Sequence, residues 1–178
     1  VDITYNIKAG KPYIIRRYHV NFLQDELLHI AQNQRNSLVY EGMQFDVDVL
    51  NQERQRIARA MRRNGCFYFD ANLIRFVADS TRGKQQLDLT ICLQDYVDQL
   101  TPELQEQLFR HYTIARVCFH MDYELDRIPE GEDIQTSLYD GYEFTWVGNK
   151  LLRENILMQR CPILPGELYD EYLVEKAY

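Results

Sequence analysis

The sequence has no apolar run approaching the ~20 residues that a membrane-spanning helix needs, and the chain as given reads as soluble. Its first residues, VDITYNIKAG, alternate apolar and polar and lack the basic-then-apolar form of a signal peptide. Paired cysteines are missing too. Cys66, Cys92, Cys118 and Cys161 stand far apart with no C-x-x-C pair, which fits neither a disulfide framework nor a zinc-site spacing. Four free thiols favour a reducing compartment on composition alone. Positive charge is scarce: 20 Lys+Arg against 27 Asp+Glu leave a net charge of −7. Residues 1–65 carry +3 and residues 66–178 carry −10. Phosphate binding needs a concentrated positive face, so no nucleic-acid partner is expected.

Catalytic signatures are equally sparse. There is no Gly-rich phosphate loop, no G-x-S-x-G elbow and no H-E-x-x-H. Cys118-x-His120 could supply two zinc ligands, but no second pair stands at a suitable spacing. His19 and His120 lie in strand patterns and read as core or edge histidines. Glu124, Asp126, Glu130, Glu132, Asp133 and Asp140 lack the regular spacing and central glycine of a calcium loop, and read as a solvated loop. The expectation is a protein without catalytic residues, metal or cofactor. A metal-dependent hydrolase using the acidic loop with Cys118 and His120 is the alternative from another class.

What the sequence does contain is 46% hydrophobic residues in 178, ordinary for one globular domain or two small ones. Residues 1–7 alternate as a strand, and Ala9-Gly10-Lys11-Pro12 is turn chemistry. Tyr13–Val20 is strand-like. Asp25 can cap a short helix to about Arg35. A longer helix follows, capped by Asp46 or Asp48, with Leu50, Ile57 and Met61 on one face and Asn64-Gly65 at its end. Leu73–Asp79 and Leu87–Leu93 read as strands joined by a Gly-containing loop. From Tyr13 to Leu93 the order is β-α-α-β-β. A short helix opens at Thr101-Pro102-Glu103. Tyr112–Tyr123 then reads as a strand, residues 124–141 as an acidic loop or insertion, and Tyr142–Val147 as a further strand. One helix follows from about Leu151 and another from near Tyr169.

Three faint matches recur in one order, which makes repetition the decisive observation. VDITYNI (1–7) matches LDLTICL (87–93). Tyr13-x-Ile15-x-Arg17 matches Tyr112-x-Ile114-x-Arg116. Gly42-x-x-Phe45 followed by Leu50 matches Gly166-x-x-Tyr169 followed by Val174. The ends read as cut, with Val1 inside a strand pattern, so a piece of a larger protein is expected.

The tandem unit resembles the POTRA repeat of outer-membrane protein assembly factors of the BamA and TamA type. Two stretches carry the resemblance. One is Glu41-Gly42-Met43-Gln44-Phe45, then Leu50, Glu53-Arg54, Ile57 and Arg63-Asn64-Gly65-Cys66-Phe67-Tyr68-Phe69. The other runs from Leu157 through Ile163-Leu164-Pro165-Gly166-Glu167-Leu168-Tyr169 to Val174-Glu175. It implies an α+β fold of tandem POTRA units, each with two helices packed on a three-stranded mixed sheet. Residues 1–12 would be the last strand of a preceding unit, 13–96 a complete unit and 97–111 a connector helix. Residues 112–178 would start a further unit, with the acidic insertion near 124–141.

The resemblance also implies function: the periplasmic region of an outer-membrane β-barrel assembly and insertion factor, continuing C-terminally into a membrane barrel. Unfolded barrel precursors would add a strand to the unit's second strand, carried here by Leu73, Ile74, Arg75, Phe76, Val77, Ala78 and Asp79. β-Augmentation of this kind demands little of the client's sequence. The plainer reading is an ordinary edge guarded by Arg75 and Asp79. Accessory lipoproteins or periplasmic proteins could dock on Arg54, Arg56, Arg59, Arg62 and Arg63, otherwise a solvated helix face with favourable dipole placement. The run Phe67-Tyr68-Phe69 reads as core, with a client pocket as the alternative. A second functional reading keeps the fold and makes it the docking module of a secretion transporter or division protein.

Overall fold

The computed structural model describes residues 3–6, 10–33, 35–81, 83, 85–121, 134–150 and 152–177. It divides into two compact units, Val1–Met61 with Phe69–Gln105, and Arg62–Tyr68 with Glu106–Tyr178. Both are α+β, each with a three-stranded mixed sheet.

In the first unit the chain runs through β1 (Ile14–Asn21), α1 (Asp25–Gln32), α2 (Val47–Arg63), β2 (Ile74–Asp79) and β3 (Gln86–Leu93). The sheet order is β1-β3-β2, with β3 parallel to β1 and antiparallel to β2. Alternation explains the central strand: Leu87, Leu89 and Ile91 of β3 are buried and the residues between them are not. Helical spacing explains α2, which buries Leu50, Ile57, Ala58 and Met61. Its start is capped by Asp46, whose Oδ1 accepts the Asp48 N–H at 2.8 Å. Asp25 does not cap α1 as expected; Gln24 holds that position without a side-chain bond, and Asp25 lies in the first turn.

The apolar stripe of α2 contains one charge. Glu53 is fully buried, and its carboxylate accepts from Arg56 Nε and Nη2 at 2.8 Å each, from Ser37 Oγ at 3.0 Å and from the Leu38 N–H at 3.0 Å. Arg56 reaches on to the Ile30 carbonyl at 3.2 Å. One ion pair thus fastens the loop between the helices and the end of α1 to α2. A charge in such a place is tolerable because every side of it is bonded.

The second unit contains β4 (Val117–Met121), β5 (Ile134–Tyr139), β6 (Tyr142–Val147), α4 (Glu154–Arg160) and α5 (Glu171–Ala177). Between β3 and β4, α3 (Pro102–Phe109) falls in the stretch expected to be a connector helix. The sheet order β4-β6-β5 repeats the first sheet's plan, with β6 parallel to β4 and antiparallel to β5. Met121, Tyr142, Phe144 and Trp146 form its core, against which Leu157 and Met158 of α4 pack.

Two of the three sequence matches mark equivalent hydrogen-bonded clamps. In the first unit Ile15 donates to Met43 O at 2.9 Å, Gly42 to Ile15 O at 2.7 Å and Phe45 to Tyr13 O at 2.8 Å. In the second, Ile114 donates to Glu167 O at 2.8 Å, Gly166 to Ile114 O at 2.7 Å and Tyr169 to Tyr112 O at 2.8 Å. Gly42 at φ +90° and Gly166 at φ +85° occupy the left-handed region that glycine enters without a Cβ penalty. Asp46 and Asp170 then cap α2 and α5 in the same way.

Three expectations change. Residues 3–6 form no strand, and Ile3 and Tyr5 are 70% and 80% exposed; neither sheet gives them a partner, and alternation alone does not make a strand. Val1, Asp2 and Ile7 lie outside the described residues. Leu73 closes a 3₁₀ turn, Ala71–Leu73, and β2 begins one residue later. Within the expected loop of 124–141, residues 134–139 are β5 and Asp140-Gly141 is the turn of a β5–β6 hairpin, with φ +49° and +81°. Those paired positive values are the type I′ geometry that matches the twist of adjoining strands. Residues 124–133 lie outside the described residues, and with them Glu124, Asp126, Glu130, Glu132 and Asp133.

Candidate functional site

The residues expected to bind a client strand lie at an edge of the first sheet. Gln94 donates to the Leu73 carbonyl at 2.8 Å, so the alternation of an antiparallel ladder turns Arg75, Val77 and Asp79 toward β3. The backbone groups of Ile74, Phe76 and Ala78 therefore point outward. Ile74 is buried and Phe76 packs on the core of Ile15, Val39, Leu50, Leu87 and Leu89, whereas Val77 is 45% exposed.

Side chains close both ends of this edge. Arg54 of α2 donates to the outward Ile74 carbonyl at 3.3 Å. At the other end Asp79 Oδ1 accepts the Thr81 N–H at 2.9 Å and its hydroxyl at 2.6 Å. Arg75 holds Asp95 Oδ2 at 2.6 Å and contacts Cys92 Sγ at 3.3 Å. The outward groups of Phe76 and Ala78 lie between these closures. The opposite edge, β1, is covered more fully: its first residues are held in the Gly42–Phe45 clamp, and Glu41 Oε1 accepts the Tyr18 N–H at 3.1 Å.

The five arginines of the expected docking face serve different purposes. Arg54 and Arg56 bond within the first unit as described. Within the second unit Arg62 pairs with Glu171 at 2.5 Å, while Arg63 lies 3.6 Å from Asp170 and stacks over Tyr172 at 4.9 Å. Arg59 is exposed. The aromatic run is divided as well. Phe69 is core, but Phe67 and Tyr68 are nearly half exposed and pack edge-to-face with Tyr112 and Tyr169 at centroid distances of 5.0–6.3 Å. Tyr112 and Tyr169 are the aromatic residues of the second clamp.

Cys118 and His120 share the face of the second sheet turned away from the core. Cys118 is exposed as a residue, and partial desolvation of its thiol together with the neighbouring Glu143 charge raises the thiol pKa, opposite to what an activated nucleophile needs. His120 Nδ1 lies 2.7 Å from Thr145 Oγ1. Their cross-strand neighbours are thus one carboxylate and one hydroxyl.

No family model matches the sequence, and no curated protein matches it. Solved structures do. The chain is similar to POTRA3–5 of Haemophilus influenzae BamA, with 14% identity and a TM-score of 0.48, over 93% of this chain and 48% of that one. It thus spans about half of that structure's length. It is also similar to the N-terminal domain of Omp85 from Thermosynechococcus elongatus, with 10% identity over 95% of this chain and 84% of that one, and a TM-score of 0.32. POTRA1–3 of the periplasmic domain of Omp85 from Anabaena gives 8% identity, the same coverages and a TM-score of 0.32.

Sequence reasoning missed two features of these surfaces. Glu53 carried a signal, a carboxylate inside an apolar stripe with Arg56 at i+3. The β5 edge carried another, since IQTSLY and YEFTWV flank Asp-Gly, a strong two-residue hairpin marker.

Proposed function

We propose that this chain is a POTRA-type, strand-handling scaffold on the periplasmic side of the outer membrane, within a β-barrel assembly and insertion factor of the BamA or TamA type. Unfolded barrel precursors pair with β2, accessory lipoproteins or periplasmic proteins dock alongside, and no covalent chemistry takes place. In the complete protein a membrane barrel follows C-terminally. Residues 1–12 end a preceding unit, 13–96 make one unit, 97–111 connect, and 112–178 belong to the next.

The observation that carries this reading is the first unit itself: a β-α-α-β-β chain whose second strand is a sheet edge with outward groups at Phe76 and Ala78 that no described residue pairs with. Main-chain pairing along such an edge binds many sequences alike, which suits a scaffold for clients that share strand character and little else. Leu73–Asp79 is the client edge, with Arg54 marking its N-terminal limit. Of the arginines offered for docking, Arg59 presents its charge to solvent, and the others act there in company with their internal partners.

The test is a backbone NMR titration of this chain with an unfolded barrel-strand peptide of alternating apolar residues. Shifts concentrated at Phe76 and Ala78 are expected, and Ala78→Pro abolishes them because it removes an outward N–H without touching the β2–β3 ladder. Unchanged spectra at millimolar peptide would reject strand capture.

A further inference from the structure

Cys118-x-His120 has no partner pair in the sequence, but the fold brings it a third donor. Alternation along β4 turns Val117, Phe119 and Met121 toward the core and puts Cys118 and His120 together on the outer face, both exposed. β6 runs parallel beside them, and its register sets Glu143 against Cys118 and Thr145 against His120. Two residues along a strand span about 6.6 Å, and neighbouring strands lie about 4.8 Å apart. A thiol, an imidazole and a carboxylate therefore share one small surface, all within the second unit.

Two of these donors are nearly placed. Cys118 Sγ lies 3.8 Å from Glu143 Oε2, and a tetrahedral zinc ion holds a sulfur and an oxygen ligand about 3.5 Å apart. The third has the support that metal-binding histidines need. His120 Nδ1 lies 2.7 Å from Thr145 Oγ1, and when that nitrogen donates to the hydroxyl, Nε2 carries the lone pair. Thr145 is buried, so the ring is steadied by a fixed group. Arg116 is the rival for Glu143, at 2.6 Å, but it is exposed, and pairs of that kind are weak.

We infer that Cys118, His120 and Glu143 form a binding site for a zinc-like divalent cation, with water as the fourth ligand. Rotation of side chains closes the set around the ion, and Glu143 leaves Arg116 as it does so. The Cys118 thiol gives its proton to solvent as the metal–sulfur bond forms; the imidazole contributes a lone pair and the carboxylate its charge. No electron moves. A thiolate and an imidazole select zinc or cobalt(II) over magnesium and calcium, which take oxygen ligands. The ion ties β4 to β6 and stabilises the second unit by binding its folded form alone. Nothing in this site depends on strand handling, and no reaction is assigned to it.

The probe is zinc chloride, added to the full, tag-free chain under a non-thiol reductant and followed by calorimetry, with cobalt(II) as the coloured substitute. Binding is expected with a thiolate-to-cobalt charge-transfer band. Cys118→Ser, His120→Gln and Glu143→Gln each weaken zinc at least about tenfold, and Cys118→Ser also removes the band. Arg116→Ala frees Glu143 from its competing cation and tightens zinc by about two- to fivefold, a gain that capture by the thiol alone would not give. Cys92→Ser, in the other sheet, leaves the band in place. Should a ligand variant fail to fold, zinc-induced NMR shifts in the unaltered chain decide: shifts at Cys118, His120 and Glu143 support the site, and their absence overturns it. A cobalt complex without the band, or affinity that survives both the His120 and the Glu143 substitutions, would equally overturn it.

Discussion

Two buried polar groups of the first unit make opposite contributions. Glu53 is bonded on every side, and Arg56 is its charge partner. Removing Arg56 leaves a buried carboxylate uncompensated, so Arg56→Ala is expected to destabilise the unit by about 3–5 kcal/mol in denaturant unfolding. Among the described residues the Tyr18 hydroxyl is buried without a partner, and burial together with the nearby Glu53 charge pushes its pKa up. An unpartnered buried hydroxyl contributes desolvation cost and no bond. Tyr18→Phe is therefore expected to be neutral or to stabilise by about 1 kcal/mol, read as a shift of the unfolding midpoint at unchanged slope. A clear loss of stability on that substitution would mean the hydroxyl is bonded in solution.

At the scale of elements, the clamp glycines matter most because their backbone is left-handed. Gly166→Ala imposes a Cβ at φ +85° and is expected to cost about 1–2 kcal/mol, with lost exchange protection at Ile114 and Tyr169 as its local sign. The clamp residues were legible as repeats, Tyr13-x-Ile15 with Tyr112-x-Ile114 and Gly42-x-x-Phe45 with Gly166-x-x-Tyr169, whereas their bonding to one another was not. β3 and the buried stripe of α2 were legible too, where period 2 and period 3.6 stand out. Strand status at the N-terminus was not legible, because alternation in VDITYNI says nothing about whether a neighbour exists to pair with it. β5 was hidden by its surroundings. Its uncharged residues adjoin a dense acidic stretch, and the whole of 124–141 took on the character of that stretch. The edge strand β2 was visible as a strand, but not the closures at its ends: Arg54 reaches Ile74 from twenty positions earlier in the chain.

Across the whole molecule, several carboxylates are tuned in one direction. The Arg16 guanidinium holds Asp88 below the ordinary carboxylate range, Lys150 does the same for Glu154, and Glu103 is lowered by its own N–H and the Thr101 hydroxyl at the start of α3. A carboxyl whose folded pKa lies below its unfolded one adds stability above the unfolded value of roughly 4, and that stability disappears as pH falls through the folded value. Unfolding midpoints are thus expected to be flat near neutrality and to decline below about pH 4, and Asp88→Asn should make the decline shallower. A decline beginning near pH 6 would point to histidine instead.

The two sheets share a plan but close over very different lengths of chain. The parallel pairing of β1 with β3 joins residues 72 apart, as in Arg16 and Asp88, whereas β4 meets β6 across 25, as in His120 and Thr145. The ratio of these lengths adds about 0.9 kcal/mol of closure entropy to the first sheet. The β5–β6 turn needs only local pairing, which forms within microseconds. During synthesis β1 leaves the ribosome long before its partner, and it waits for β3 while the later sheet can assemble almost as it emerges. Pulse-labelling during refolding should accordingly find Tyr142–Val147 protected before Gln86–Leu93. The interval between the two would be the time during which β1 is most vulnerable to pairing with the wrong strand.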